Sequence, residues 1–175
     1  MPAAAHLVRR FLGALRPGGP PDRDESWVKE LLGNGSATHR LWQTMSGADR
    51  RHAVGVARRA EVAFGGDSTP DALIAALLHD VGKVAAGLGT FGRVPATLLG
   101  MGNARRLAPT WSTRPHGVRR RVGLYLRHAE LGADMLRNAG APVLASTWAG
   151  EHHRPPPEWT IPALVGAILK AADDD

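Results

Sequence analysis

Apolar positions recur at helical spacing along most of the chain, and strand-like alternation is absent. Glu25 to Leu32 reads as a short amphipathic helix stopped by Gly33-Asn34-Gly35. Ser36 or Thr38 can cap a second short helix carrying Leu41, Trp42 and Met45. Ser46 caps a longer helix, about 47–64, ended by Gly65-Gly66; Ala53, Val56, Ala57 and Ala60 line one face and His52 lies in its first half. Ser68-Thr69-Pro70-Asp71 is a strong helix start, with a capping residue, a proline in the first turn and an acid. The ALIAALL that follows is apolar all round, so this helix is expected to be central and to deliver His79 and Asp80 near its C-terminal end. Residues 86–116 are rich in glycine and proline, with a short helix expected around 94–106. A helix resumes over about 117–138, with Leu124, Leu131, Met135 and Leu136 as core candidates and His128 in its middle. Gly140 ends it, and Pro142 starts a helix leading to Glu151-His152-His153. Pro155-Pro156-Pro157 predicts an extended break. The last helix, about 161–173, carries Leu164, Val165, Ile168 and Leu169 and runs into AADDD. The expected fold class is all-α, with residues 1–24 as an N-terminal arm and one domain over 25–175.

Composition narrows the chemistry. The chain has 175 residues, 43% hydrophobic and 22% charged, ordinary for a globular domain. No apolar run reaches the length of a membrane span, and the start, MPAAAHLVRRFLGALRPGG, reads as a weakly amphipathic arm rather than a signal peptide. The absence of cysteine excludes disulfides, thiolate metal sites and cysteine nucleophiles, and is compatible with the cytoplasm. Lys and Arg number 22 against 16 Asp and Glu, and only Lys29, Lys83 and Lys170 are lysines. An arginine-rich balance points weakly toward an anionic partner.

Six positions read together as a metal site: His52, His79, Asp80, His128, His152 and Asp173. A lone buried histidine is more often a satisfied core residue. Here His79-Asp80 follows directly on an apolar helix, where a charge is costly unless paired or metal-bound, and Asp173 follows an apolar helix face in the same way. His6, His39 and His116 lie outside the pattern, in segments expected to be exposed. Imidazole and carboxylate ligands suit Mn, Fe, Co, Ni or Zn by type, and such ions activate water for hydrolysis.

The string ALLHDVGK, residues 76–83, resembles the signature of the HD-domain superfamily of metal-dependent phosphohydrolases. The resemblance runs from about Trp27 to the C-terminus. It includes DRRHAVGVARR around His52, YLRHAELGADML around His128, EHHRPP around His152 and LKAADDD around Asp173. It implies an all-α helical bundle with a central buried metal site. Minimal members of the superfamily would use His52, His79, Asp80 and Asp173 for one ion; His128 and His152 resemble the two-metal variant. Asp80 would then bridge two divalent ions (Mn, Fe, Co, Ni, Zn or Mg), and a bridging hydroxide would be the nucleophile. His153, in a pair similar to that of the HD-GYP branch, is either a ligand or a group that orients one. Lys83 is placed to neutralise a substrate phosphate; the plainer reading is a solvated lysine at a helix C-terminus. Asp173 is favoured over Asp174 and Asp175 because it directly follows the apolar run.

The departures limit the claim. RPPPEW stands where the HD-GYP branch has a Gly-Tyr-Pro loop, which argues against cyclic-di-GMP hydrolysis. Ala48 stands four residues before His52 where that branch tends to carry Glu, so a third metal has no support. The insertions of dedicated ppGpp hydrolases are absent. The chain stops shortly after Asp173, so that ligand is expected to be ordered by metal or by a helix that continues naturally. The resulting expectation is a small cytoplasmic phosphohydrolase acting on a phosphate mono- or diester, with nucleotides as candidates and no specific nucleic-acid binding. The alternative is a catalytically silent nucleotide-sensing module. Arg105-Arg106 and Arg119-Arg120-Arg121 suggest weak association with an anionic membrane, or simply a solvated basic surface.

Overall fold

The computed structural model describes residues 18–89, Ala96 and 103–174. Among them are nine α-helices and no strand, so the all-α expectation holds. They are α1 (Asp22–Leu32), α2 (Ala37–Thr44), α3 (Gly47–Phe64), α4 (Pro70–Leu78), α5 (Ala104–Ser112), α6 (Val118–Leu126), α7 (His128–Asn138), α8 (Val143–Glu151) and α9 (Ala163–Asp174). No helix among the described residues is long and apolar enough to cross a membrane.

Local chemistry sets most boundaries. Ser36, Ser46 and Thr69 each accept a hydrogen bond from the backbone N–H three residues on, which satisfies a donor the helix leaves open. Ser46 also donates to Asp49, closing a reciprocal cap. Gly65 leaves α3 at φ 57°, a left-handed conformation that suits glycine. Every residue of α4 from Ala72 to Leu78 is buried, as the apolar run requires. α4 packs against α3 and α8 and also meets α1 and α9, so it is the central rod of the bundle. Leu77, Leu78, Leu136, Leu169, Trp42 and Trp148 fill the core around it. Burying each such leucine favours the fold by roughly 1.5–3 kcal/mol.

Several boundaries differ from the sequence expectation. The first helix begins at Asp22, with Asp22, Asp24 and Glu25 all in its acidic first turn. The single helix expected over 117–138 is two, broken at Arg127 (φ −102°, ψ 12°), whose N–H reaches the carbonyls of Gly123 and Leu124. No Gly or Pro marks this break. It lets α6 pack on α5 while α7 lies along α8. Pro156–Glu158 form a 3₁₀ turn rather than an extended break. Leu164 faces outward while Leu169 is fully buried. His39 is buried, not exposed, and its Nδ1 accepts from the Gly35 N–H. The helix expected around 94–106 falls largely outside the described residues; α5 begins only at Ala104.

One glycine is set by close approach. After α4 a 3₁₀ turn, Val81–Ala86, lies against α6 and α7. A Cβ on Gly82 would stand 1.9 Å from the His128 carbonyl oxygen and 2.6 Å from the Gly132 nitrogen. Only glycine lets this turn sit against the first turn of α7.

Candidate metal centre

The ligand candidates come from the ends of elements that meet around α4. His79 caps the C-terminus of α4, directly after Leu78, and Asp80 follows at φ −100°, ψ 5° to open the 3₁₀ turn. The pair therefore sits at a junction rather than within a helix, and Asp80 Oδ2 comes within 3.4 Å of His79 Nε2. α3 contributes His52, the N-terminus of α7 His128, the C-terminal end of α8 His152 and then His153, and the last turn of α9 Asp173. All six positions read as one site from the sequence converge, and His153 joins them.

Three of the histidines are oriented by one device. Nδ1 of His79 contacts the Ala76 carbonyl at 2.8 Å, Nδ1 of His128 the Tyr125 carbonyl at 2.7 Å, and Nδ1 of His152 the Ala149 carbonyl at 2.9 Å. A carbonyl only accepts, so the proton is on Nδ1 and Nε2 is left to face the centre. Nε2 of His79 and of His152 are buried with no hydrogen-bond partner, and each side chain is 1% exposed. Orphaned buried nitrogens are expensive in a folded protein unless a ligand takes them.

Asp80 stands between two groups. Its Oδ2 is 3.4 Å from His79 Nε2, while its Oδ1 is 3.4 Å from His128 Nε2 and 3.7 Å from His152 Nε2. On the first side, Asp173 Oδ1 lies 2.9 Å from His52 Nε2 and 3.6 Å from His79 Nε2. The donor atoms of His52, His79 and Asp80 lie within 4.8 Å of one another, as do those of His128, His152 and His153. Each set is compact enough for one ion. Their nitrogen and oxygen donors fit borderline divalent metals.

The electrostatics also call for cations. Asp80 and Asp173 are buried carboxylates. Burial would raise the pKa of Asp80, yet Lys83 and His79 outweigh it and hold it well below the usual range. Burial likewise opposes ionisation of Asp173, and His79 and His52 reverse the balance. Burial works against a charge on His79, but Asp80 and Asp173 raise it to about 10. Burial lowers His152 against the pull of Asp80. Loss of solvent around its ring, then His152 and His128, lower His153 as well. Two buried anions thus draw protons onto a neighbouring imidazole, the charge that bound metal would supply instead.

His153 is exposed as a residue, yet its Nε2 lies 3.0 Å from His128 Nε2. His128 carries its proton on Nδ1, so His153 must donate across this contact unless an ion sits at the pair. Lys83 differs from the plainer sequence reading of a solvated lysine. It is neither solvated nor directed to open solvent; its ammonium pairs with Asp80 Oδ2, and its side chain is 14% exposed. Asp174 pairs with Lys170 and is exposed, so it does not compete with the buried Asp173.

Four supporting groups carry no metal-ligand signature in the sequence. Tyr125 stacks on the His128 ring at a centroid distance of 5.6 Å. Arg59 Nε donates to the Ala172 carbonyl at 2.9 Å and so ties the last turn of α9 to α3 beside Asp173. Glu151 is buried and accepts from both the N–H and the hydroxyl of Thr160 at 2.8 Å, pinning the segment after His153. The fourth is Gly82.

Compared with known protein families, with curated proteins and with solved structures, the chain matches none.

Proposed function

We propose that this chain is a two-metal phosphohydrolase of the HD type, cleaving a phosphate mono- or diester, with nucleotides among the candidate substrates. One observation carries the reading: the two oxygens of Asp80 face two separate histidine sets, each with a buried Nε2 that has no hydrogen-bond partner. Divalent ions bound there would supply Lewis acidity and a water acidic enough to attack phosphorus near neutral pH. The chain's own residues do the rest. The carbonyls of Ala76, Tyr125 and Ala149 hold His79, His128 and His152 in the tautomer that aims Nε2 inward. Asp173, tied to His52, closes the first set. Lys83, beside Asp80, offers positive charge to the oxygens of an incoming phosphate. The more exposed members, His52 and His153, mark where the centre meets solvent.

The test is metal content of the purified protein, followed by a phosphoester panel with Mn, Fe, Co or Ni. Bound metal with metal-dependent phosphate release is the expected result. Absence of metal from every preparation would sink the proposal. Metal without turnover across a broad nucleotide panel would favour the silent sensing module instead.

A further inference from the structure

The charge of this chain is unevenly placed. Between Val81 and Ala129 there are nine basic residues and no acid, against 22 basic and 16 acidic in the whole chain, so the remainder holds more acid than base. Six of these arginines, Arg105, Arg106, Arg114, Arg119, Arg120 and Arg121, lie on α5, on α6 and in the turn that joins them. Five are exposed and Arg120 is half-buried. Among the described residues none of the six has an ion-pair partner. Several arginines elsewhere do: Arg50 meets Glu25, Arg58 meets Asp24 and Glu61, Arg127 meets Glu130, and Arg137 meets Asp134. Leu107, beside Arg106, is 43% exposed, and Val118, beside Arg119, is 74% exposed.

We propose that the α5–α6 hairpin docks the protein on an anionic lipid surface. Unpaired arginines are attracted to a negatively charged leaflet. Exposed aliphatic side chains between them can enter the acyl boundary, where a polyanion in water offers them nothing. A single-stranded nucleic acid would instead gain from exposed aromatic rings on which bases stack; the hairpin's Trp111 and Tyr125 are partly buried, Tyr125 against His128. The hairpin also adjoins the metal centre. α6 packs on the 3₁₀ turn that bears Lys83, and Arg121 lies beside Gly87 at the end of that turn. Docking would therefore hold the centre near the surface.

The experiment is sedimentation of the full chain with vesicles of phosphatidylcholine alone or mixed with phosphatidylglycerol, over a range of salt. Binding only to the mixed vesicles, weakening as salt rises, is expected. Each basic residue near such a surface contributes about fivefold, so the triple variant R119A/R120A/R121A should bind on the order of a hundredfold less. Val118→Ser should weaken binding a few-fold without changing its salt dependence; an unchanged affinity would overturn the choice of lipid. Equal binding to both vesicle types, no binding to either, or preferential capture by a single-stranded oligonucleotide at the same salt would overturn the proposal. Circular dichroism of the variants guards against misfolding. Vesicle binding is read without turnover, so an inactive or metal-free preparation leaves the result legible and separates it from the phosphohydrolase reading.

Discussion

The candidate metal centre and the α5–α6 hairpin treat charge in opposite ways. In the centre, Asp80 and Asp173 are buried, and Lys83, His79 and His52 face them at contact distance. In the hairpin, six arginines stand without a partner among the described residues, and most are exposed. Water already stabilises an exposed guanidinium, so the hairpin costs the fold little. A buried carboxylate has lost that hydration and must be compensated on the spot. Substitutions in the centre should therefore change stability and metal affinity, while substitutions in the hairpin should change only what the surface attracts.

The largest effect is expected at the joint between the two regions. Gly82→Ala forces a methyl group into the His128 carbonyl and should cost about 3 kcal/mol or more, read by urea denaturation. A normal midpoint would mean that the turn is not locked against α7. Next, Asp80→Asn should lower metal affinity more than about a hundredfold, beyond what loss of a supporting partner costs; titration calorimetry with Mn would show it, and wild-type stoichiometry would remove Asp80 from its shared role. Stripping the metal with a chelator should lower stability by about 2.7 kcal/mol relative to protein held at a hundred times its dissociation constant, seen as a fall in Tm that returns when Mn is restored. Glu151→Gln should cost about 1–2 kcal/mol, because two donors on Thr160 lose a charged acceptor, while metal content stays at the wild-type level. The smallest effect belongs to the hairpin: R119A/R120A/R121A should shift the unfolding free energy by no more than about 0.5 kcal/mol, and a larger loss would show that these arginines support the fold.

Much of the fold was legible because its signals are local. Ser36, Ser46 and Thr69 cap the helices that follow them, since a short polar side chain satisfies an open N–H wherever it stands. The apolar run of α4 demanded burial on all sides and found it. The ligand candidates were legible for a related reason: buried imidazoles and carboxylates are costly, so their placement directly after apolar runs stood out. The break at Arg127 had no such mark, because it answers to packing of α6 on α5 and of α7 on the turn at Gly82. The carbonyls of Ala76, Tyr125 and Ala149 could not be read at all, since every residue carries one and only the fold selects three. Which apolar residues of α9 face the core was not legible, because a helical stripe does not say where its edge lies: Leu164 is exposed and Leu169 is buried.

Helix content, the central position of α4 and the residue types gathered near its end were determined by the order of amino acids alone, through spacing, caps and the cost of burying charge. Tertiary structure decided which atom of each side chain faces which partner. It set Asp80 between two histidine sets, turned Lys83 onto Asp80 rather than outward, and drew His153 onto His128. The division has a physical cause. Burial and capping act over one or two helical turns of chain, whereas the meeting of α3, α4, α7, α8 and α9 joins residues as far apart as His52 and Asp173, and no local preference encodes a contact across that distance.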